Sequence, residues 1–470
     1  MFSLRRTILA VGLFVALLGF RPAANALFPG LPPTLLPPVW VSLLWVGPIA
    51  LYTMLRNPHS RLVAFVWIGW FVIGSLNVVA SYAAVGSYWD LDVGYADLVY
   101  VVFTFCFFLG LLTVDIRTPT GPQSEEPKSQ GFDLLFTTFL AAFPLLYAWS
   151  MHRALGSFPL LQGINLTQEM YELDYGPLYG YSIILVLAAL VALHRARAAR
   201  SRISRWVHYS FLTLVLFISV LDGKRFNLML FIAGALAYEL RVAGPRSGRL
   251  RRAWITGSVV AAAIVLYVGV LVLREGLNVD AYTGVTLQLA AVGVEHRDFV
   301  YTVNHFAPGE IPNYHWAQSA LFSALNSRLL AAFGVDKLRH VLTGSAYAWR
   351  DLLGIDFGIR TGIISELYFA YGWLGLPVMI GVGAIIGFVA RRLWTARTRR
   401  GLIYACAAYA ILLLAPVGQT TSTTGGLTVV FYAFVLSAFT RRVIAALRPP
   451  PMQSAEWGTL AAQASSAVTS

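Results

Sequence analysis

Apolar runs of about 20 residues recur along the whole chain, separated by short polar connections. A run of about that length crosses a hydrocarbon core of roughly 30 Å as a helix, at 1.5 Å per residue. The pattern predicts about twelve such spans, at 7–21, 36–55, 62–84, 96–114, 132–151, 177–193, 206–221, 226–240, 253–272, 363–390, 402–418 and 425–440. Between the ninth and the tenth the alternation stops. From about Arg274 to about Gly362 the chain turns polar and aromatic, through EHRDFVYTVNHF and NYHWAQSALF to AYAWRDLLGIDFGIRTG. The expected fold class is an all-α polytopic membrane protein. Its parts are nine spans in 1–272, one large outer loop with short helices at 273–362, three spans in 363–447 and a tail at 448–470. That tail, PPPMQSAEWGTLAAQASSAVTS from Pro449 on, lacks apolar periodicity and reads as disordered.

Composition agrees with the pattern. Hydrophobic residues make up 57% of the chain and charged ones 12%, where a soluble domain carries about 25%. Cys106 and Cys406 both fall inside apolar runs and read as small buried hydrophobes, so no disulfide framework is expected.

The charges between the spans are one-sided. Alternate connections carry arginine clusters, such as Arg195, Arg197, Arg200, Arg202 and Arg205, or Arg391, Arg392, Arg397, Arg399 and Arg400. The opposite short connections hold only Arg21, Arg153, Lys224 and Arg225. The positive-inside rule then puts both termini in the cytoplasm and the large loop outside. The net charge of +13 is therefore a signal of topology and of contact with anionic lipid, and needs no nucleic acid. Arg5-Arg6, an apolar core and Ala24-Asn25-Ala26 resemble a cleavable signal peptide, but Arg21-Pro22 and the many following spans favour an uncleaved first helix.

Candidate chemistry gathers at the outer side. Asp222-Gly223-Lys224-Arg225 is a tight turn at which the next helix begins, with its N–H groups and positive dipole end facing outward. Cations at a helix N-terminus make an anion site, although both side chains also suit snorkelling to headgroups with Asp222 as partner. Arg274-Glu275 closes one span and Arg360 precedes another at the same level. A lipid-borne pyrophosphate would sit at that depth, and the arginine fork binds phosphate oxygens bidentately.

Glu366 lies one turn inside a span, where an acid is costly and is either ion-paired or catalytic. The run Glu295-His296-Arg297-Asp298 fits either a base site or a solvated helix face. Asp90-Leu91-Asp92 has the form of a short Asp-x-Asp metal motif, and none of the histidines shows zinc-type spacing. The stretch from His315-Trp316 to Phe333 is apolar at helical spacing and is expected to lie along the membrane surface.

Two local stretches carry a resemblance. These are Asp222-Gly-Lys-Arg225 opening a span, and Gly358-Ile-Arg360 through Glu366 to Gly372-Trp-Leu-Gly375. With the large loop placed after about two thirds of the chain, they resemble the bacterial O-antigen (oligosaccharide repeat-unit) polymerases. The layout is similar to that of the O-antigen ligases too. The resemblance implies an inner-membrane glycosyltransferase that joins repeat units carried on undecaprenyl pyrophosphate, at the periplasmic face. It implies no cofactor or metal, with membrane lipids and a chain-length regulator protein as partners. Lys224, Arg225, Arg274 and Arg360 would then bind pyrophosphate. Glu275, His296, Asp298 and Glu366 compete for the role of base. A transporter of lipid-linked glycans is the rival from another class, and spans nearly free of charge argue against it.

Overall fold

A computed structural model describes residues 46–55, 61–71, 74, 93–114, 130–161, 178–222, 225–242, 294–310, 317, 321–322, 325, 327–335, 362–396, 398–415 and 420–447. Among these, 88% are helical and none lies in a strand, so the all-α expectation holds. We number the helices α1 (Val46–Leu55) and α2 (Arg61–Phe71); α3 (Val93–Thr113), α4 (Gln130–Leu155), α5 (Ile183–Ala198), α6 (Arg202–Leu221) and α7 (Arg225–Val242); and α8 (Val294–His305), α9 (Ser327–Ala332), α10 (Ile363–Tyr371), α11 (Gly375–Thr395), α12 (Arg399–Leu413) and α13 (Thr420–Leu447). The expected spans at 7–21 and 253–272, most of the large loop and the tail lie outside the described residues.

Among the described residues, four stretches are long and apolar enough to cross a membrane: Gly94–Thr113, Arg202–Leu221, Ile363–Thr395 and Thr423–Thr440. Their outward faces are apolar too. Ile203, Trp206, Val207 and Phe217 stand exposed on α6, and Phe431, Phe434 and Phe439 on α13. Contiguous exposed surface of this kind is a liability in water and the normal condition in lipid. The chain is an all-helical membrane protein.

Two packing units are visible. The most extensive pairing is α3 against α11. Here a Cβ on Gly110 would stand 2.0 Å from the Ile380 carbonyl oxygen, and one on Gly383 2.2 Å from that of Phe107. Glycine at both positions lets the two backbones touch, as small residues do at membrane helix crossings. The second unit centres on α5, which packs on α4, α6, α7, α12 and α13 and is buried on nearly every side. α12 joins the two units, because it packs on α7 and α5 as well as α11.

Pairwise contacts give the helix directions. Tyr95 meets Tyr368 and Val114 meets Gly387, so α3 runs parallel to α10 and α11. Leu190 meets Gly234 and His194 meets Tyr238, so α5 and α7 are parallel. Tyr404 meets Ala433 and Ile411 meets Gly426, so α12 and α13 are antiparallel. One end of the bundle therefore collects Arg195, Arg197, Arg202, Arg205, Arg241, Arg391 and Arg392, where the chain enters or leaves these helices. There Ser201 caps α6 and Thr398 caps α12, each hydroxyl accepting a backbone N–H. The other end carries Asp97, Asp222, His296, Asp298 and Glu366.

The span expected at 363–390 is broken. α10 ends at Tyr371, and Gly372 takes φ 55°, ψ −138°, a conformation that favours glycine. The break is tied to the segment after α8: the Gly309 N–H donates to the Phe369 carbonyl at 3.0 Å, and Pro308 packs against Gly372. The Phe369 carbonyl near the interruption is thus satisfied by protein.

Candidate active site

Asp97 lies in the second turn of α3, in a helix whose other described residues carry no charge. It shares a buried face with Tyr100 and Thr104, at helical spacing. On α8 the same logic buries His296, Phe299 and Val300, at i, i+3 and i+4. Packing α8 on α3 brings the two polar groups together. His296 Nε2 stands 2.8 Å from Asp97 Oδ1, and both side chains are 2% exposed. The two atoms are in close polar contact, but the geometry is not that of a hydrogen bond. An unpaired charge buried this deeply costs several kcal/mol, and a close partner offsets much of that.

Aromatic rings enclose the pair. Tyr100 stacks on the imidazole at 4.2 Å between centroids with planes 8° apart, and Phe71 of α2 stands 6.0 Å away. Phe299 links this group to α10 through Tyr368 and Phe369. The Tyr368 hydroxyl lies 2.6 Å from that of Tyr95, which is partly open to the surroundings. Trp373, at the helix break, packs on both Phe103 and Tyr368.

Of the expected bases, His296, Asp298 and Glu366 all fall on helices of this group, at 2%, 7% and 2% exposure. Of the two readings of Glu295–Asp298, the solvated face is overturned at His296 and Asp298. They face inward because α8 lays that side on α3, and the Asp298 carbonyl accepts the Thr302 hydroxyl. Glu366 is buried in the first turn of α10 and engages a partner of its own. Among the spans expected to be nearly charge-free, α3 carries the acid Asp97. An acid one turn into an apolar run was the available signal for it.

Arg225 opens α7, in the second packing unit. Asp222, at the C-terminal cap of α6, is fully buried, accepts the Tyr147 hydroxyl at 3.0 Å and accepts from Asn227 Nδ2 at 3.4 Å. Asp222 is therefore buried rather than at the surface. Lys224, Arg274, Glu275 and Arg360 lie outside the described residues, as do Asp90 and Asp92. Among the described residues no three His, Cys, Asp or Glu side chains gather where they could hold one metal ion.

Fold and site together define a helical membrane protein with a buried carboxylate–imidazole pair at the end of the bundle opposite its arginine cluster. No family model, curated protein or solved structure matches the chain.

Proposed function

We propose that the protein is a membrane glycosyltransferase that polymerises oligosaccharide repeat units carried on undecaprenyl pyrophosphate, as in O-antigen, capsule or exopolysaccharide assembly. The arginine-rich end faces the cytoplasm by the positive-inside rule, about twelve spans cross the inner membrane, and the large loop is periplasmic. The observation that carries this reading is the gathering of His296, Asp97, Asp298 and Glu366 at the non-arginine end, with α8 of the loop docked into the bundle there.

The chemistry is modest. Pyrophosphate is already a good leaving group. Cations are needed for the charge that develops on it, and Lys224, Arg225, Arg274 and Arg360 are the residues proposed for that task. A base and a fixed orientation are needed for the acceptor hydroxyl, and of the described candidates His296, paired with Asp97, is the one we assign to it. No nucleotide sugar is supplied outside the cytoplasm, so a lipid-linked donor fits this face.

A transporter of lipid-linked glycans is favoured by two features, the ionisable Asp97 within an apolar helix and the broken helix at Gly372. Both lie towards the end of the bundle and beside the loop, whereas a transport site is expected near mid-membrane, and that supports the enzyme. A ligase uses the same chemistry on a different acceptor. The surface glycan of a deletion strain separates the readings on a gel. Polymerase predicts a single repeat unit on the lipid core. A core with no glycan at all would mean ligase or transporter instead.

A further inference from the structure

His296 and Asp97 come from distant parts of the chain, and α8 and α3 pack so that the two side chains meet out of water. The plane of the imidazole is set by Tyr100 stacked on it, with Phe71 beside it. Its Nε2 faces the carboxylate. Its Nδ1 is buried and has no hydrogen-bond partner among the described residues. Gly74 lies alongside that nitrogen. A Cβ there would stand 3.2 Å from Nδ1 and 2.9 Å from the His296 Cβ, so glycine is what fits against this side of the ring. Asp298 and Glu366, by contrast, each have interactions of their own.

We propose that Asp97 is the positioning residue of the transfer: it holds a proton on Nε2 of His296 and leaves Nδ1 to take the proton of the acceptor sugar's hydroxyl. This rests on the polymerase reading and ranks its bases. In the step, the acceptor O–H passes its proton to Nδ1 while its oxygen bonds to the anomeric carbon of the donor glycan. The bond from that carbon to the pyrophosphate oxygen breaks, and the electron pair leaves with the lipid pyrophosphate. The imidazolium formed is neutralised by the Asp97 carboxylate 2.8 Å away. Alignment of the Nε2–H with Oδ1 is expected to tighten when substrate fills the site, as contacts of this kind do.

The test is initial-rate transfer by purified full-length protein in liposomes, with a glycan on undecaprenyl pyrophosphate as both donor and acceptor. Rates are normalised to folded protein. Asp97→Asn keeps the volume but removes the charge, and its amide can donate to Nε2 and drive the ring proton onto Nδ1. It is expected to lower kcat by about 10³–10⁴-fold with KM little changed, and Asp97→Glu to recover part of the loss. His296→Ala is expected to lose activity equally and to regain some with added imidazole, a response that a purely structural histidine would not give. Asp97→Asn and His296→Gln both transferring at near the wild-type rate would overturn the proposal. So would Asp97→Asn that fails to accumulate while His296→Gln keeps full activity, because the pair is then a structural tie. A wild-type protein that makes no product is a separate outcome and removes the polymerase reading itself.

Discussion

Gly110→Ala and Gly383→Ala are each expected to stop the protein from accumulating as a folded, monodisperse species in the membrane. A methyl at Gly110 would stand 2.0 Å from one backbone carbonyl oxygen and 2.9 Å from the Ala384 nitrogen. Ordinary C···O contact is about 3.3–3.6 Å. Backbone atoms cannot rotate aside, so α3 and α11 must move apart along their whole crossing, and the most extensive helix pairing of the bundle loosens. Overpacking of this kind costs roughly 1–3 kcal/mol when neighbours are soft, and more when they are backbone. The two changes act on one crossing, so the double variant is expected to be less than additive. Gly381→Ala is the control, since nothing lies within 4 Å of a Cβ there. Size-exclusion profiles of tagged protein in detergent check this. A Gly110→Ala protein with a wild-type profile and melting curve would contradict the described crossing.

Arg225→Ala and Arg360→Ala are expected to abolish polymer while the protein still accumulates. Arg225 begins α7, and buried Asp222 closes α6 before it. If it holds the pyrophosphate, its contact strengthens as charge builds on the leaving group, so it contributes mainly in the transition state. Loss of one such donor costs about 10²–10³ in rate, or roughly 3–4 kcal/mol. Lysine is expected to rescue only partly, because it keeps the charge and loses the fork. Arg153→Ala is the comparison. Arg153 is also at the end opposite the arginine cluster, but it is exposed, lies over the Trp149 ring and sits at a helix C-terminus. Normal polymer from both Ala variants, or loss of the protein itself, would remove the anion-site reading.

Much of the helical framework was legible because lipid imposes long apolar runs. The spans expected at 96–114, 206–221 and 226–240 correspond to α3, α6 and α7 within a few residues. Arginine placement was legible too, since the basic connections gather at one end of the described bundle. The break at Gly372 was not, because the run from Ile363 to Thr395 is continuously apolar and hydropathy carries no φ angle. The site was half legible. His296 and Glu366 stand out as polar residues at costly positions. Asp97 is a single acid within an apolar span, and its partner lies about two hundred residues away, a separation that only packing can reveal. In the sequence Asp222 reads as a neighbour of Lys224 and Arg225, and its bonds to Tyr147 and Asn227 emerge only from packing.

The central claim is transfer between two lipid-linked glycans, and reconstitution tests it most directly. Purified protein in liposomes, given only an oligosaccharide on undecaprenyl pyrophosphate, is expected to yield a ladder spaced by one repeat unit. One lipid pyrophosphate should be released per bond formed, and the ladder should persist in EDTA. Folded protein that leaves the oligosaccharide unchanged, or merely moves it across the bilayer, would contradict the account.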